Sequence, residues 1–281
     1  MKNKITLLIN SIFYMIKYFI LNRVSNKHLN KDNYKVIISL TCFPARINKV
    51  FYTIESLINQ NVNISYDIRL YLSKDEFVKG MIPDSLKRLE ARGLSIIFVE
   101  GNIRSYKKLI YVYDIESKPI ITVDDDIFYP KEWLDTLYTS HLEKPCDIIY
   151  FRGRKIIFDD ENLKLYHEYP QADGLHESYL TIPTGVSGIL YPPKSLFKDW
   201  DNQNLFIKLA PSADDLWFKV MSLLNNRKCY LAYDFSVHFP PVLGTQSISL
   251  RKINVLNTQS PNDIQLKNLL DYYNIDLSTY K

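Results

Sequence analysis

At 281 residues the chain can bury a large core as one α/β domain with excursions, or as one domain with a small tail. The formal charge of +4 makes no case for nucleic acid, and it is unevenly placed. Residues 1–35 hold seven Lys and Arg against Asp32 alone, a net +6 that leaves −2 for the rest, so the body carries no basic stripe for a polynucleotide. Cys42, Cys146 and Cys229 are odd in number and lack CxxC spacing, which argues against a disulfide scaffold or a zinc–thiolate site and predicts reduced, buried cysteines in a cytoplasmic protein.

The leader, residues 5–21, reads ITLLINSIFYMIKYFIL and is interrupted by Asn10, Ser11 and Lys17. A bilayer crossing wants about 20 apolar residues. This shorter, broken run predicts an amphipathic helix within residues 1–30 that lies on a membrane surface through residues 1–23. Its apolar bulk would face lipid, and Lys2, Lys4, Lys17 and Arg23 would face anionic headgroups. The competing reading is a helix packed on its own domain or on a partner subunit. No small-residue cleavage site follows, which argues against a removable signal peptide.

From Tyr34 the pattern alternates. Residues 35–40 predict a buried strand, and 47–60 a helix with Val50, Ile54, Leu57 and Ile58 on one face. Strand 66–72 follows, then helix 83–92 stopped by Gly93, strand 94–99, helix 105–113 and strand 120–123. Four strands alternating with three helices predict parallel pairing through right-handed crossovers. Pro130 opens a helix over 132–141, and 147–151 reads as a strand. Residues 155–184 are polar and aromatic with no clean period, the mark of a binding excursion rather than a linker. A Gly-punctuated segment, TGVSGILYPP, leads into a short strand. Helix 214–224, strand 231–239 and a terminal helix 263–273 complete the chain. The expected catalytic body is 34–245, with 246–281 as a C-terminal helical tail.

The triplet Asp124-Asp125-Asp126 closes the apolar run 119–123. Acids at the carboxyl end of a strand stand where α/β proteins hold ligands. If the chain stays extended, Asp124 and Asp126 face one side and Asp125 the other. Converging carboxylates repel unless a cation joins them, so oxygen ligation predicts a divalent metal, and its natural partner is a diphosphate. The bland alternative is an acidic surface loop. Gly-x-Gly-x-x-Gly and Gly-Lys-Ser/Thr patterns are missing, which argues against dinucleotide and P-loop chemistry.

These pieces together resemble a bacterial glycosyltransferase of the GT-A type, near the family-2-like enzymes that assemble surface polysaccharide such as capsule or lipopolysaccharide. The resemblance is carried by a first strand ending at Thr41 with Pro44 and Arg46 beyond, and by the Asp-x-Asp at Asp124–Asp126. Gly185 and Gly188 ahead of a strand, and the pair Asp214-Asp215 opening a helix about 90 residues after the triplet, complete it over about residues 34–240. It implies an α/β GT-A fold with a mostly parallel sheet flanked by helices. It also implies an inverting transferase moving a sugar from a nucleoside-diphosphate donor, UDP first, to a lipid-linked or lipopolysaccharide or capsule glycan acceptor at the cytoplasmic face of the membrane.

In that family the last acid of the motif contacts the metal. The resemblance therefore gives Asp126 to Mn²⁺ or Mg²⁺, Asp124 to ribose or a metal-bound water, and His238 to completing the coordination, with Asp125 beside them on the donor side. Asp215 matches the acid that deprotonates the acceptor hydroxyl, and Asp214 replaces a usual Glu that binds acceptor or positions its neighbour. Both could instead cap the helix. Thr41 lies in the nucleotide mouth, and Arg46 can bond a base or a phosphate. Arg104, Lys107 and Lys108 put cations near a leaving group that gains charge, with one of the two lysines expected to take the role. Gly185 and Gly188 permit close backbone approach. Trp217 reads as core or as an apolar wall for a sugar.

Two departures from the family stand out. Cys42-Phe43 is inserted between Thr41 and Pro44, and 155–184 matches nothing in it. The rival functions are a retaining glycosyltransferase on the same fold, which would not use Asp215 as base, and an inactive glycan-binding scaffold, which would not need metal. A nucleotidyltransferase would want a Gly-rich loop after the first strand, and TCFPARINK has none. A homo-oligomer is compatible with all of these.

Overall fold

The apolar runs of the first half form the parallel half of one eight-stranded sheet. The computed structural model describes residues 2–78, 81–112, 117–174, 176–245 and 260–281. Strands β1 (Val36–Thr41), β2 (Tyr66–Ser73), β3 (Ser95–Val99) and β4 (Ile120–Thr122) are parallel neighbours in the order β3-β2-β1-β4. Past β4 the sheet continues through β11 (Ile189–Tyr191), β5 (Ile148–Tyr150), β12 (Cys229–Leu231) and β9 (Glu177–Ser178). Of these, β5 and β12 pair in parallel and the rest antiparallel. The excursion after β5 folds into two small antiparallel pairs, β6 (Gly153–Lys155) with β10 (Thr181–Pro183) and β7 (Phe158–Asp159) with β8 (Asn162–Leu163). The result is an α/β fold with a mostly parallel central sheet flanked by helices.

Helices α1 (Lys2–Val24), α2 (Val50–Ile58), α3 (Asp84–Ala91), α4 (Lys107–Ile110), α5 (Trp133–Glu143), α6 (Gln203–Leu209), α7 (Asp214–Leu224) and α8 (Pro261–Tyr273) surround it. Side chains of β1 alternate between two cores. Val36, Ile38 and Leu40 join the helices α2, α3 and α5, whereas Ile37 joins the core that holds Trp217 and Leu266. Coverage on both faces explains why the first strands read as continuous apolar runs.

Several sequence expectations change. Of the expected 231–239 strand only Leu231 belongs to a sheet strand, and Phe235 makes an isolated bridge to Asp173. That segment runs instead beside the acidic turn, where Phe128 N donates to Pro240 O at 2.9 Å and Val242 N to Asp126 O at 2.8 Å. The expected helix 105–113 is a 3-10 turn, Arg104–Tyr106, followed by the single turn α4. Cys42 and Cys229 are buried but Cys146 is exposed, and all three are free thiols. Residues 246–259 of the expected tail lie outside the described residues.

Helix α1 is longer than the apolar run predicts, and Ile5–Val24 is long and apolar enough to cross a membrane. One face nevertheless packs on the domain. Ser11, Tyr18 and Asn22 are buried, with Tyr18 in a cluster with Phe128 and Val242. Asn22 Nδ2 donates to Glu55 Oε1 and to Ser85 O, both at 3.1 Å. Glu55 is fully buried and meets Arg92 through two contacts of 2.6 and 3.2 Å. This network ties α1 to the elements that carry the sheet.

Candidate active site

Parallel pairing sets Ile37–Ser39 level with Ile120–Thr122, so the loops after β1 and β4 leave from the same sheet edge. Open α/β sheets place ligands in that crevice. The loop after β1 makes one 3-10 turn, Pro44–Arg46, which aims Arg46 at the acidic turn. Arg46 Nη1 lies 2.6 Å from Asp125 Oδ1 and 3.0 Å from Asp126 Oδ2, and Nη2 donates to Thr245 O at 3.1 Å. All three charged side chains are buried. Burial opposes the charge on Arg46, but Asp125 and Asp126 outweigh it and hold the guanidinium firmly protonated. Burial lifts the Asp125 carboxyl above its usual range, with Arg46 opposing.

The expected alternation is not kept. The strand ends at Thr122 and the chain turns at Asp125 and Asp126, so these two share Arg46. Asp124 faces a different cation. Its N–H donates to Tyr129 Oη at 3.0 Å, that hydroxyl donates to Val186 O at 3.2 Å, and its carboxylate lies 3.3 Å from Lys108 Nζ. Lys108, supplied by α4, also sits 3.1 Å from Asp214 Oδ2. Burial alone would depress its pKa; Asp214, Asp124 and Asp215 reverse that and keep it charged.

Strand β11 runs antiparallel to β4 with Ile189 opposite Thr122, which delivers Gly185 beside Asp124. The Gly185 N–H faces both oxygens of Asp215, at 3.1 and 3.2 Å. A Cβ at Gly185 would lie 2.8 Å from Lys108 Nζ, 3.2 Å from Asp215 Oδ1 and 3.6 Å from Asp124 Oδ1. Three charged groups from three elements converge on one point, and only glycine leaves them room. Burial, then Asp214 and Asp124, push the Asp215 carboxyl up to about 7, against the pull of Lys108 and the Gly185 N–H. A carboxylate so placed can take a proton near neutral pH.

The remaining candidates scatter. Thr41 ends β1, and its hydroxyl donates to Tyr71 O at 2.8 Å. Lys107 turns away from the cluster toward Glu76 and Asn102, at 3.2 and 2.9 Å. Arg104 is exposed. Gly188, at φ +93°, makes room for Trp133, whose ring would lie 2.5 Å from an added Cβ and whose Nε1 donates to Ser187 O at 2.9 Å. Its demand is packing. Trp217 is buried and donates to Trp200 O at 2.8 Å, which makes it core rather than a sugar wall.

His238 is exposed and follows the bend after β12. Among the described residues no three His, Cys, Asp or Glu side chains gather as a metal cage. Tyr129, which fixes the Asp124 backbone, carries no sequence signal, because no spacing marks a tyrosine that follows an acid by five positions.

The donor set still suits a hard divalent cation. Asp126 beside Arg46 and Asp124 beside Lys108 offer carboxylate oxygens at the sheet edge. Mg²⁺ commonly uses one or two carboxylates and completes its shell with phosphate and water, so a three-residue cage is not required.

No protein-family model matches the chain, and no curated protein matches it. Among solved structures it is similar to S. aureus TarS 1-349 in complex with UDP, at 13% identity and a TM-score of 0.46, over 72% of this chain and 59% of that one. It is also similar to the mannosyltransferase PcManGT from Pyrobaculum calidifontis in complex with GDP-Man and Mn²⁺, at 12% identity and a TM-score of 0.47, over 95% of this chain and 79% of that one. The chain thus spans less than two thirds of the length of the TarS structure.

Proposed function

We propose that the protein transfers a sugar from a nucleoside-diphosphate donor to a hydroxyl acceptor with inversion of the anomeric centre. The observation that supports this most is the convergence at Gly185, where the donor-side acid Asp124 and the acceptor-side acid Asp215 meet around Lys108. Inverting transfer needs both, a charged site for the departing diphosphate and a separate base for the incoming alcohol.

In this reading Asp215 accepts the proton of the acceptor hydroxyl as its oxygen attacks the anomeric carbon. The Gly185 N–H orients the carboxylate, and Asp214 keeps Lys108 in place. Lys108 and Arg46 hold positive charge on the leaving-group side. A divalent cation, Mn²⁺ or Mg²⁺, would be held by Asp126, with Asp124 toward the ribose or a metal-bound water, and would supply charge neutralisation for the diphosphate. The outward apolar face of α1 attaches the enzyme to the cytoplasmic face of a membrane, where a lipid-linked glycan is the natural acceptor.

Thermal-shift measurements with UDP-, GDP-, CDP- and dTDP-sugars and Mn²⁺ test the reading. One nucleotide class should raise the melting temperature, chelation of the metal should remove the shift, and Asp126→Ala should abolish it. No shift with any donor would contradict it.

A further inference from the structure

A cleft of about 430 Å³ opens between α1, the start of α2 and α3, and none of the clustered acids lines it. Met15, Phe19 and Phe51 give it an apolar wall, and Arg23, Lys49 and Arg88 give it three cations. No Asp or Glu lines it. Among the described residues none of the three cations has a carboxylate partner. Arg23 Nη1 donates to Phe19 O at 3.0 Å, Lys49 Nζ to Leu243 O and Gly244 O at 3.0 and 3.1 Å, and Arg88 Nε to Asn22 O and Oδ1 at 3.1 and 3.0 Å. Carbonyl oxygens fix these groups in position without cancelling their charge. Three fixed like charges around one cleft favour an anion that accepts several charge-assisted hydrogen bonds, which is the chemistry of a phosphate.

The cleft borders an apolar stripe. Ile5, Ile9, Phe13, Ile16 and Ile20 are each more than half exposed, at 53, 60, 60, 59 and 51%, and their spacing of three or four places them along one side of α1. Phe19, itself 44% exposed, belongs to the same helix and also walls the cleft. Helix α1 contains no acid. Apolar side chains flanked by uncompensated cations match the interface of an anionic bilayer, with chains below and phosphates level with the basic groups. A second copy of α1 would instead set like charges against each other.

We propose that this cleft binds the phosphate headgroup of an anionic phospholipid while the stripe of α1 enters the acyl layer. The inference builds on the membrane attachment suggested for α1 and adds a defined headgroup site. That site adjoins the acid cluster through a shared loop. Lys49 holds the carbonyls of residues 243 and 244, and Arg46 holds the carbonyl of Thr245 while facing Asp125 and Asp126. A lipid on Lys49 therefore sets the catalytic edge next to the bilayer.

Vesicle co-sedimentation of the full chain tests the site, using phosphatidylcholine alone and phosphatidylcholine with about 30% phosphatidylglycerol. The parent should bind the anionic vesicles about tenfold or more tightly than the neutral ones. Arg23→Glu with Lys49→Glu should remove that preference, and the milder pair Arg23→Gln with Lys49→Gln should weaken it with an unchanged circular dichroism spectrum. Lys208→Glu with Lys267→Glu, an equal charge change on α6 and α8, should stay within about twofold of the parent. Equal losses from the cleft pair and the control pair would overturn the site in favour of diffuse attraction. Equal binding of the parent to both vesicles would overturn the headgroup while leaving apolar attachment standing, and binding to neither would remove both. Competition by soluble glycerol phosphate at the concentration of the lipid phosphate would reassign the cleft to a free ligand.

Discussion

The backbone N–H of Gly185 faces both carboxylate oxygens of Asp215, at 3.1 and 3.2 Å, and this contact locks an acid from the start of α7 against the turn that enters β11. The same glycine lets Lys108 and Asp124 approach. The chemistry proposed for the site follows from how these four residues crowd together.

Asp215 should govern the pH dependence of transfer. A base works only when ionised, and burial with Asp214 beside it pushes this carboxyl up to about 7. The rate should therefore rise with pH along an acid limb centred near 7 and then level off. A profile of kcat/KM from pH 5 to 9, which reads the free enzyme's ionisations, checks it.

Stability should respond in the opposite sense. A carboxyl whose folded pKa lies above its unfolded value favours the fold fully only below the unfolded value, and that contribution is lost as pH rises through about 7. Asp215→Asn should melt a few degrees higher than the parent at pH 8, with the gain shrinking toward pH 4. Calorimetric melts at the two pH values measure this.

Lys108 lowers the Asp215 pKa and separates Asp124 from Asp214. Lys108→Gln should shift the acid limb of the rate profile upward by about one pH unit, because like charges then meet without a counter-ion. An unmoved limb would show that the lysine does not act on the base.

The two glycines should separate by phenotype. Gly185→Ala brings a methyl within 2.8 Å of Lys108 Nζ, a flexible end, so the fold should survive while kcat falls about 100-fold through displacement of the base. Gly188→Ala meets the Trp133 ring at 2.5 Å with φ at +93°, and should instead lower the melting temperature markedly. Paired melts and rates for both variants decide it.

The buried pair Arg92–Glu55 anchors α1, α2 and the end of α3. Arg92→Ala leaves a fully buried carboxylate without its partner and should cost about 3–5 kcal/mol in denaturant unfolding.

Much of this architecture could be read from the chain because its causes are local. Residues 36–41, 95–99 and 120–122 are runs rich in β-branched and apolar residues, 66–73 alternates polar and apolar at its start, and each forms a strand. Helix 214–224 starts at the acids and ends where its apolar period stops. The errors arose where tertiary contacts decide. Period two placed Asp125 opposite its neighbours, but the turn after Thr122 gives it and Asp126 to Arg46, a residue 79 positions away from Asp125. Nothing in the sequence distinguishes Lys107 from Lys108; the short α4 rotates one toward Glu76 and the other toward Asp124 and Asp214. Residues 155–184 gave no period because they form two-residue and three-residue strands, too short to show one.

The most direct measurement of the central claim pairs donor binding with turnover in Asp215→Asn. Calorimetric affinity for the nucleotide-sugar should stay within about threefold of the parent while transfer falls about 1,000-fold, the loss expected when a general base is removed. Transfer within tenfold of the parent, at unchanged donor affinity, would contradict the assignment of Asp215 as the group that takes the acceptor proton.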